Sequence, residues 1–92
     1  MTKRLFDLSG RVAVVTGASS GLGVQMAKAL ARQGADLAIL ARRKWKLDEV
    51  AEEIRNLGVK CLPVKCDVTD SSQIAAAAEA VKAEYVKVDI LV

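Results

Sequence analysis

The sequence predicts an α/β fold, a parallel β-sheet covered by helices in the order βαβαβαβ. Three observations lead there. Short β-branched apolar runs alternate with segments whose apolar residues recur at helical spacing. The first run, Val12 to Val15, is apolar at every position, as in a strand covered on both faces. Hydrophobic residues make up 52% of the chain but aromatics only 3%, unlike a small aromatic-rich β domain. A length of 92 residues leaves room for one domain, residues 1–92.

Arg11 to Thr16 reads as the first strand, and Gly17 to Gly23 as a Gly/Ser-rich turn. Val24 to Gln33 is the first helix, with Met26, Ala27, Leu30 and Ala31 on one face and Gly34 as its stop. Leu37 to Ala41 is the second strand. Lys46 to Leu57 is the second helix, because Leu47, Val50, Ile54 and Leu57 form one stripe and Gly58 ends it. Cys61 to Cys66 is the third strand. Asp70 and Gln73 have capping-box spacing and start a third helix. Its apolar stripe is Ile74, Ala77, Ala78, Val81 and Tyr85. Asp89 to Val92 begins a fourth strand. Apolar residues at Val86, Val88, Ile90 and Val92 lengthen its pattern back to Val86. Right-handed crossovers make the sheet parallel. Pro63 cannot donate to a ladder, so the third strand belongs at an edge. The strand order 3-2-1-4 puts it there.

The turn between the first strand and first helix has the spacing G-x-x-x-G-x-G. Gly17 permits a sharp exit from the strand. Gly21 leaves room for a pyrophosphate, and Gly23 lets the helix pack closely. The helix N-terminus offers N–H groups and a positive dipole end to phosphate oxygens. Ser19 and Ser20 add hydroxyl donors. The bland alternative is a turn that merely connects.

Thr16 to Gly23 resembles the cofactor loop T-G-x-x-x-G-x-G of the short-chain dehydrogenases/reductases. Cys66-Asp67-Val68-Thr69 resembles that family's D-V segment, which lies against the adenine. Val88-Asp89-Ile90-Leu91-Val92 resembles its D-I-L-V strand, and Phe6 to Val12 fits its opening. The resemblance spans essentially the whole chain. It implies a Rossmann-like three-layer half-domain that holds a nicotinamide dinucleotide through Gly17, Ser19, Ser20, Gly21, Leu22, Gly23, Asp67 and Val68. It covers only the first half of the family's domain. The family's Asn-Asn-Ala-Gly segment, catalytic Ser and Tyr-x-x-x-Lys pair would fall after Val92. The implied function is therefore the cofactor-binding half of an oxidoreductase, without catalytic residues of its own. Tyr85 is no substitute, because Asp89 stands four residues on and Tyr85 lies on an apolar stripe.

NAD-binding relatives carry an acidic residue at the end of the second strand, where it takes the ribose hydroxyls. Here Ala41 is followed by Arg42, Arg43 and Lys44. Asp36 lies at the wrong end of that strand, about 16 Å away at the usual rise per residue. Arg42 is placed to grip a 2′-phosphate with its planar fork, with Arg43 beside it. The resemblance agrees, since Arg just after this strand marks NADP-preferring members. A solvated basic turn is the alternative, although Lys44 and Lys46 oppose the helix dipole. The expected cofactor is NADP, weakly bound. The competing function is a self-associating folding module without significant cofactor binding.

Other classes are disfavoured. Histidine is absent, which removes the commonest general base and zinc ligand, and no metal site is expected. A net charge of +3 without a stacking surface does not indicate nucleic acid. No apolar run is long enough to span a membrane, and the first ten residues do not form a secretory signal. Cys61 and Cys66 should face opposite sides of a strand as free thiols of a reducing, cytoplasmic protein.

Three departures from the family pattern point to a shortened, altered chain. Trp45 replaces a polar residue and either flanks the adenine or lies on the surface. Val86 stands where a Gly normally ends the third helix, so that helix must end differently. The fourth strand ends the chain at Val92, beside the glycine turn, with an open apolar edge. Such an edge recruits another strand, so a homodimer is expected, by edge pairing or by strand exchange.

Overall fold

A computed structural model describes residues 7–19, 21–85 and 87–92. Seven elements follow in order: β1 (Val12–Thr16), α1 (Gly21–Arg32), β2 (Asp36–Ala41), α2 (Lys44–Arg55), β3 (Cys61–Lys65), α3 (Ser71–Glu84) and β4 (Ile90–Leu91). The strands form one sheet in the order β3-β2-β1-β4, with every neighbouring pair parallel. Val14 pairs with Ala38, and Ala13 with Ile90. Pro63 pairs with Ile39 on the edge strand, where a missing donor is tolerated.

Alternation along the two central strands sends side chains into two cores. Ala13, Val15, Leu37 and Ile39 point to one face. There they meet Ala27 and Ala31 of α1 and Leu47, Val50, Ala51 and Ile54 of α2. Val12, Val14, Ala38 and Leu40 point to the other face, where Ala77, Val81 and Tyr85 cover them. The result is three layers. Burying a side chain the size of Leu47 or Ile54 contributes about 1.5–3 kcal/mol. The two cysteines divide as their spacing requires: Cys61 joins the first core and Cys66 the second, and both are free thiols. Burial pushes the Cys61 thiol up to about 12.

The helices begin earlier than their apolar periodicity suggests. α1 starts at Gly21 and α2 at Lys44, each ahead of its first core-facing residue. Leu57 lies beyond the end of α2 and is exposed. Arg43 caps α2 without a side-chain bond, and Lys44 Nζ instead reaches Asp48 at 2.7 Å. The cap of α3 is better made, because Asp70 accepts from the N–H groups of Ser72 and Gln73. The expected apolar stripe of α3 is narrower than its sequence implies. Ala77, Val81 and Tyr85 are buried, whereas Ile74 and Ala78 are exposed. Successive fourth residues make one row of contact, and Ile74 lies in the first turn beside the cap.

Tyr85 ends α3 in an extended conformation (φ −122°), with its N–H bonded to Val81 O. Among the described residues no side-chain-bearing residue adopts a positive φ. Val86 lies outside the described residues. The phenol of Tyr85 donates to Leu37 O at 2.8 Å, and burial raises its pKa to about 12. It is a packing residue, as its place on the stripe indicates.

The longer fourth strand read from Val86 does not form. β4 comprises only Ile90 and Leu91, and Lys87 to Asp89 are irregular. The reason is the length of β1. Asp89 N–H already reaches Val12 O, the first residue of β1. Before it the chain turns, with Arg11 N–H bonded to Leu8 O. Residues ahead of Asp89 therefore have no strand beside them.

Asp89 ties this junction together. Its Oδ2 accepts from Val12 N at 2.9 Å, and its Oδ1 lies 3.5 Å from both Arg11 Nη1 and Lys87 Nζ. The Val12 hydrogen bond first, then the Lys87 charge and the side-chain hydrogen bonds of Lys87 and Arg11, hold its carboxyl below the usual range. A depressed carboxylate stabilises the fold above its unfolded pKa, and that stability is lost as pH falls through the folded value. The window thus opens at about pH 4 and extends downward. Asp89→Asn keeps an oxygen for Val12 but not the charge. We expect it to lower stability at pH 7 and to flatten the acid loss below about pH 4, read by urea unfolding across pH.

Candidate functional site

The site is built where the chain leaves β1. Gly17 adopts φ +65°, a conformation that carries the backbone sharply away from the strand. Ala18 is fully buried, and its N–H bonds Leu40 O at 3.2 Å, which lays the turn against β2. On the other side, Thr16 N and Oγ1 both donate to Val92 O at 3.0 Å. Val92 therefore lies at the turn, as the strand order requires.

Gly23 sets the approach of α1. A Cβ there would collide with the carbonyl oxygen of Gly17 and come within 3.2 Å of Ala18 Cα. The helix can descend onto the turn only because this side chain is missing. Its early N–H groups have no partners within the helix. No acidic residue stands in the first turn of α1, so the positive end of the dipole is not neutralised there.

A cavity of about 740 Å³ opens over the C-terminal ends of β1, β2 and β3. Gly17 and Ser19 line it from the β1 turn, and Ala41, Arg42 and Arg43 from the end of β2. Lys65, Cys66, Asp67 and Val68 line it from the end of β3, and Gln73 from α3. Its size is that of a small-molecule site. A larger groove of about 930 Å³ runs between α1 and α2. Its walls carry charges of both signs, with Lys28 paired to Glu53 at 3.2 Å, and it holds no residue of the β2 or β3 ends. The cavity over the strand ends is therefore the candidate site.

Its two rims differ in how firmly they are held. Arg42 is 78% exposed, and its Nε lies 3.9 Å from Asp67 Oδ2. An ion pair this exposed contributes little and leaves the guanidinium available. Asp67 is held tightly: its Oδ1 accepts from Thr69 N at 3.0 Å and Thr69 Oγ1 at 2.7 Å. Those bonds first, and the Arg42 charge second, lower its pKa. Asp67 thus stays ionised at neutral pH.

The sequence-predicted residues divide into groups. Gly17, Ser19, Arg42, Arg43, Asp67 and Val68 meet at the cavity. Gly21, Leu22 and Gly23 form the first turn of α1. Gly21 has φ +52°, Leu22 is exposed, and Gly23 backs the turn. Ser20 lies outside the described residues. Asp36 is at the opposite end of β2, where its Oδ1 accepts from Lys60 N at 3.0 Å. Trp45 lies on the surface, with Lys46 Nζ 6.0 Å from its ring, and lines neither groove. Sequence reasoning missed Lys65 and Gln73 as cavity residues. Gln73 carried a signal in its capping-box spacing, whereas Lys65 carried none. Among the described residues no group of three metal-ligating side chains occurs, and no helix is long and apolar enough to cross a membrane.

A parallel sheet in the order 3-2-1-4, with a glycine turn leading from its central strand into a helix, is the first half of a Rossmann-like domain. The short chain dehydrogenase family matches residues 11–92, and the chain belongs to that family. Glycine betaine reductase ATRR of Emericella nidulans is 51% identical over 85 residues, which is 92% of this chain and 7% of that protein. A short-chain type dehydrogenase/reductase from Mycobacterium marinum is similar at TM-score 0.89 and 44% identity, over 95% of this chain and 34% of that one. L-Sorbose reductase from Gluconobacter frateurii, in complex with NADPH and L-sorbose, is similar at TM-score 0.89 and 37% identity. That likeness covers 94% of this chain and 33% of the reductase.

Because the obstruction at Gly23 is backbone, it cannot swing aside. Gly23→Ala should therefore destabilise the fold by about 1–3 kcal/mol, measured by urea unfolding. An unchanged midpoint would mean that α1 can shift off the turn without cost.

Proposed function

We propose that these residues form the adenosine-side half of an NADP(H) site. The observation that supports it most is the joining of three things at one cavity: the glycine turn at Gly17 and Ser19 that leads into α1, Arg42 where an acidic residue would favour NAD, and the Asp67-Val68 wall. The cradle suits the group chemically, because Gly23 lets the turn and helix close around a site with no side chain in the way. The N–H groups around Gly17, Gly21 and Leu22 would receive the pyrophosphate, helped by the hydroxyl of Ser19. Arg42, with Arg43 beside it, would take the 2′-phosphate. Asp67 and Val68 would lie against the adenine. When bound, the cofactor supplies or accepts a hydride. The similarity to an NADPH-bound reductase supports this choice. Two free buried thiols fit a reducing cytoplasmic setting. No Tyr-x-x-x-Lys pair occurs in the 92 residues, and we expect this segment to bind the cofactor weakly and to transfer no hydride alone.

Calorimetric titration with NADPH and NADH tests the reading. The charge-assisted contact at Arg42 is worth about 1.5–3 kcal/mol, or roughly 10- to 150-fold in favour of NADPH. Arg42→Asp should erase or invert the preference, and NADPH should not be consumed with carbonyl compounds above the buffer rate. A variant that still prefers NADPH would remove Arg42 from the role.

A second reading is self-association, favoured by the edge at β4. Leu91 is 75% exposed there, and Val88 and Val92 are also exposed. Val92 directs its N–H and C=O to β1, so Leu91, by alternation, turns its own outward. Lys87, the cation nearest this edge, pairs with Asp89 at 3.5 Å. Two copies pairing antiparallel at β4 would give a closed, two-fold contact. The two-residue β4 offers less to pair than its sequence pattern implied. For the 92-residue chain at high micromolar concentration, sedimentation velocity should show a dimer. A monomer would end this reading.

A further inference from the structure

We propose that Gln73 is a positioning residue of the nucleotide site, holding the Asp67-Val68 wall against the adenine side of the ligand. This rests on the NADP(H) reading. The starting point is a hydrogen-bond pattern that helix capping alone does not require. In a capping box, the third helical side chain accepts from the N–H of the capping residue itself. Here the N–H of Asp70 goes to Asp67 O at 3.0 Å instead. Gln73 Oε1 reaches past the cap and accepts from Asp67 N at 2.8 Å. Its Nε2 donates to Asp70 Oδ2 at 3.3 Å. Asp70 meanwhile caps α3 through Oδ1, which accepts from the backbone N–H groups of Ser72 and Gln73 and does not involve the Gln73 side chain.

The amide of Gln73 thus links the fixed start of α3 to the loop that lines the cavity. Together with Thr69, it occupies the N–H and Oδ1 of Asp67, while the Asp67 carbonyl takes the Asp70 N–H. Only Oδ2 of Asp67 is left to face Arg42. Gln73 also lines the cavity itself. The role needs an acceptor and a donor on one planar group, which an amide supplies. A carboxylate would accept from Asp67 but could not donate to Asp70. It would also bring a third negative charge to Asp67 and Asp70, beside a 2′-phosphate. Leu fills similar space and does neither.

The test compares the unmodified 92-residue chain with Gln73→Leu and Gln73→Glu, using adenosine 2′,5′-bisphosphate and inorganic pyrophosphate as probes. Gln73 is exposed, so neither variant opens the core. Loss of one positioning hydrogen bond should weaken the adenosine probe roughly 2- to 10-fold in Gln73→Leu. Pyrophosphate, which meets only the glycine turn, should keep its affinity. In the ligand-free chain, amide exchange at Asp67 should accelerate. Gln73→Glu should bind the adenosine probe poorly at pH 8. It should recover relative to the unmodified chain near pH 5, as the new carboxyl gains a proton and becomes a donor. Equal adenosine affinity in Gln73→Leu, or parallel loss of pyrophosphate, overturns the inference and leaves the NADP(H) reading standing. An unmodified chain that binds neither the adenosine probe nor NADPH overturns that reading, and this inference with it.

Discussion

Gly23 stands so close to the Gly17 carbonyl that α1 and the turn beneath it meet with no side chain between them. The rest of the site follows from this contact. It lowers the start of α1 onto the turn that leaves β1, and the N–H groups of that first turn have no partners within the helix. It keeps the turn flat enough for Ala18 to be buried and to bond Leu40 O. Leu40 is next to last in β2, so the same bond brings the β1 turn beside Arg42 and Arg43. One missing side chain thereby aligns two strand ends around one cavity.

The opposite wall is organised by hydrogen bonds rather than by close packing. Asp67, Thr69, Asp70 and Gln73 form a self-contained network on the segment between β3 and α3. Its carboxylates are stabilised by local N–H and hydroxyl donors, so they stay ionised without relying on distant cations. Across the cavity the cation is held loosely. Asp67 is a rigid acceptor and Arg42 an available donor, an arrangement that lets an incoming anion compete for the guanidinium at little cost. Among the described residues no charged side chain is buried. The site's electrostatics can therefore be altered without unfolding the sheet.

The two faces of the sheet are unequally covered. α1 and α2 bury a broad surface, whereas α3 contributes a single row ending at Tyr85. The phenol bond to Leu37 O and the Asp89 bond to Val12 N fasten that thinner side at its ends. β4 adds only two residues to the sheet, and backbone bonds from Asp89 to Val12 and between Val92 and Val14 and Thr16 continue its attachment to β1 on both sides.

Element order, the parallel sheet, the edge position of β3 and the two-sided burial of β1 were determined by the sequence itself. Each follows from local rules: the period of apolar residues, the missing donor of Pro63, and the handedness of crossovers. The glycine turn and the basic end of β2 were legible for the same reason, because each lies within a few residues of a strand end. Only the tertiary structure decided the length of β4, because a strand forms only where a neighbour continues, and β1 begins at Val12. It also decided which apolar residues of α3 are buried, since that depends on how wide a surface the helix meets. The cavity roles of Lys65 and Gln73 arise the same way. They come from bringing three strand ends and a helix start together, a relation between segments distant in sequence that no local period records.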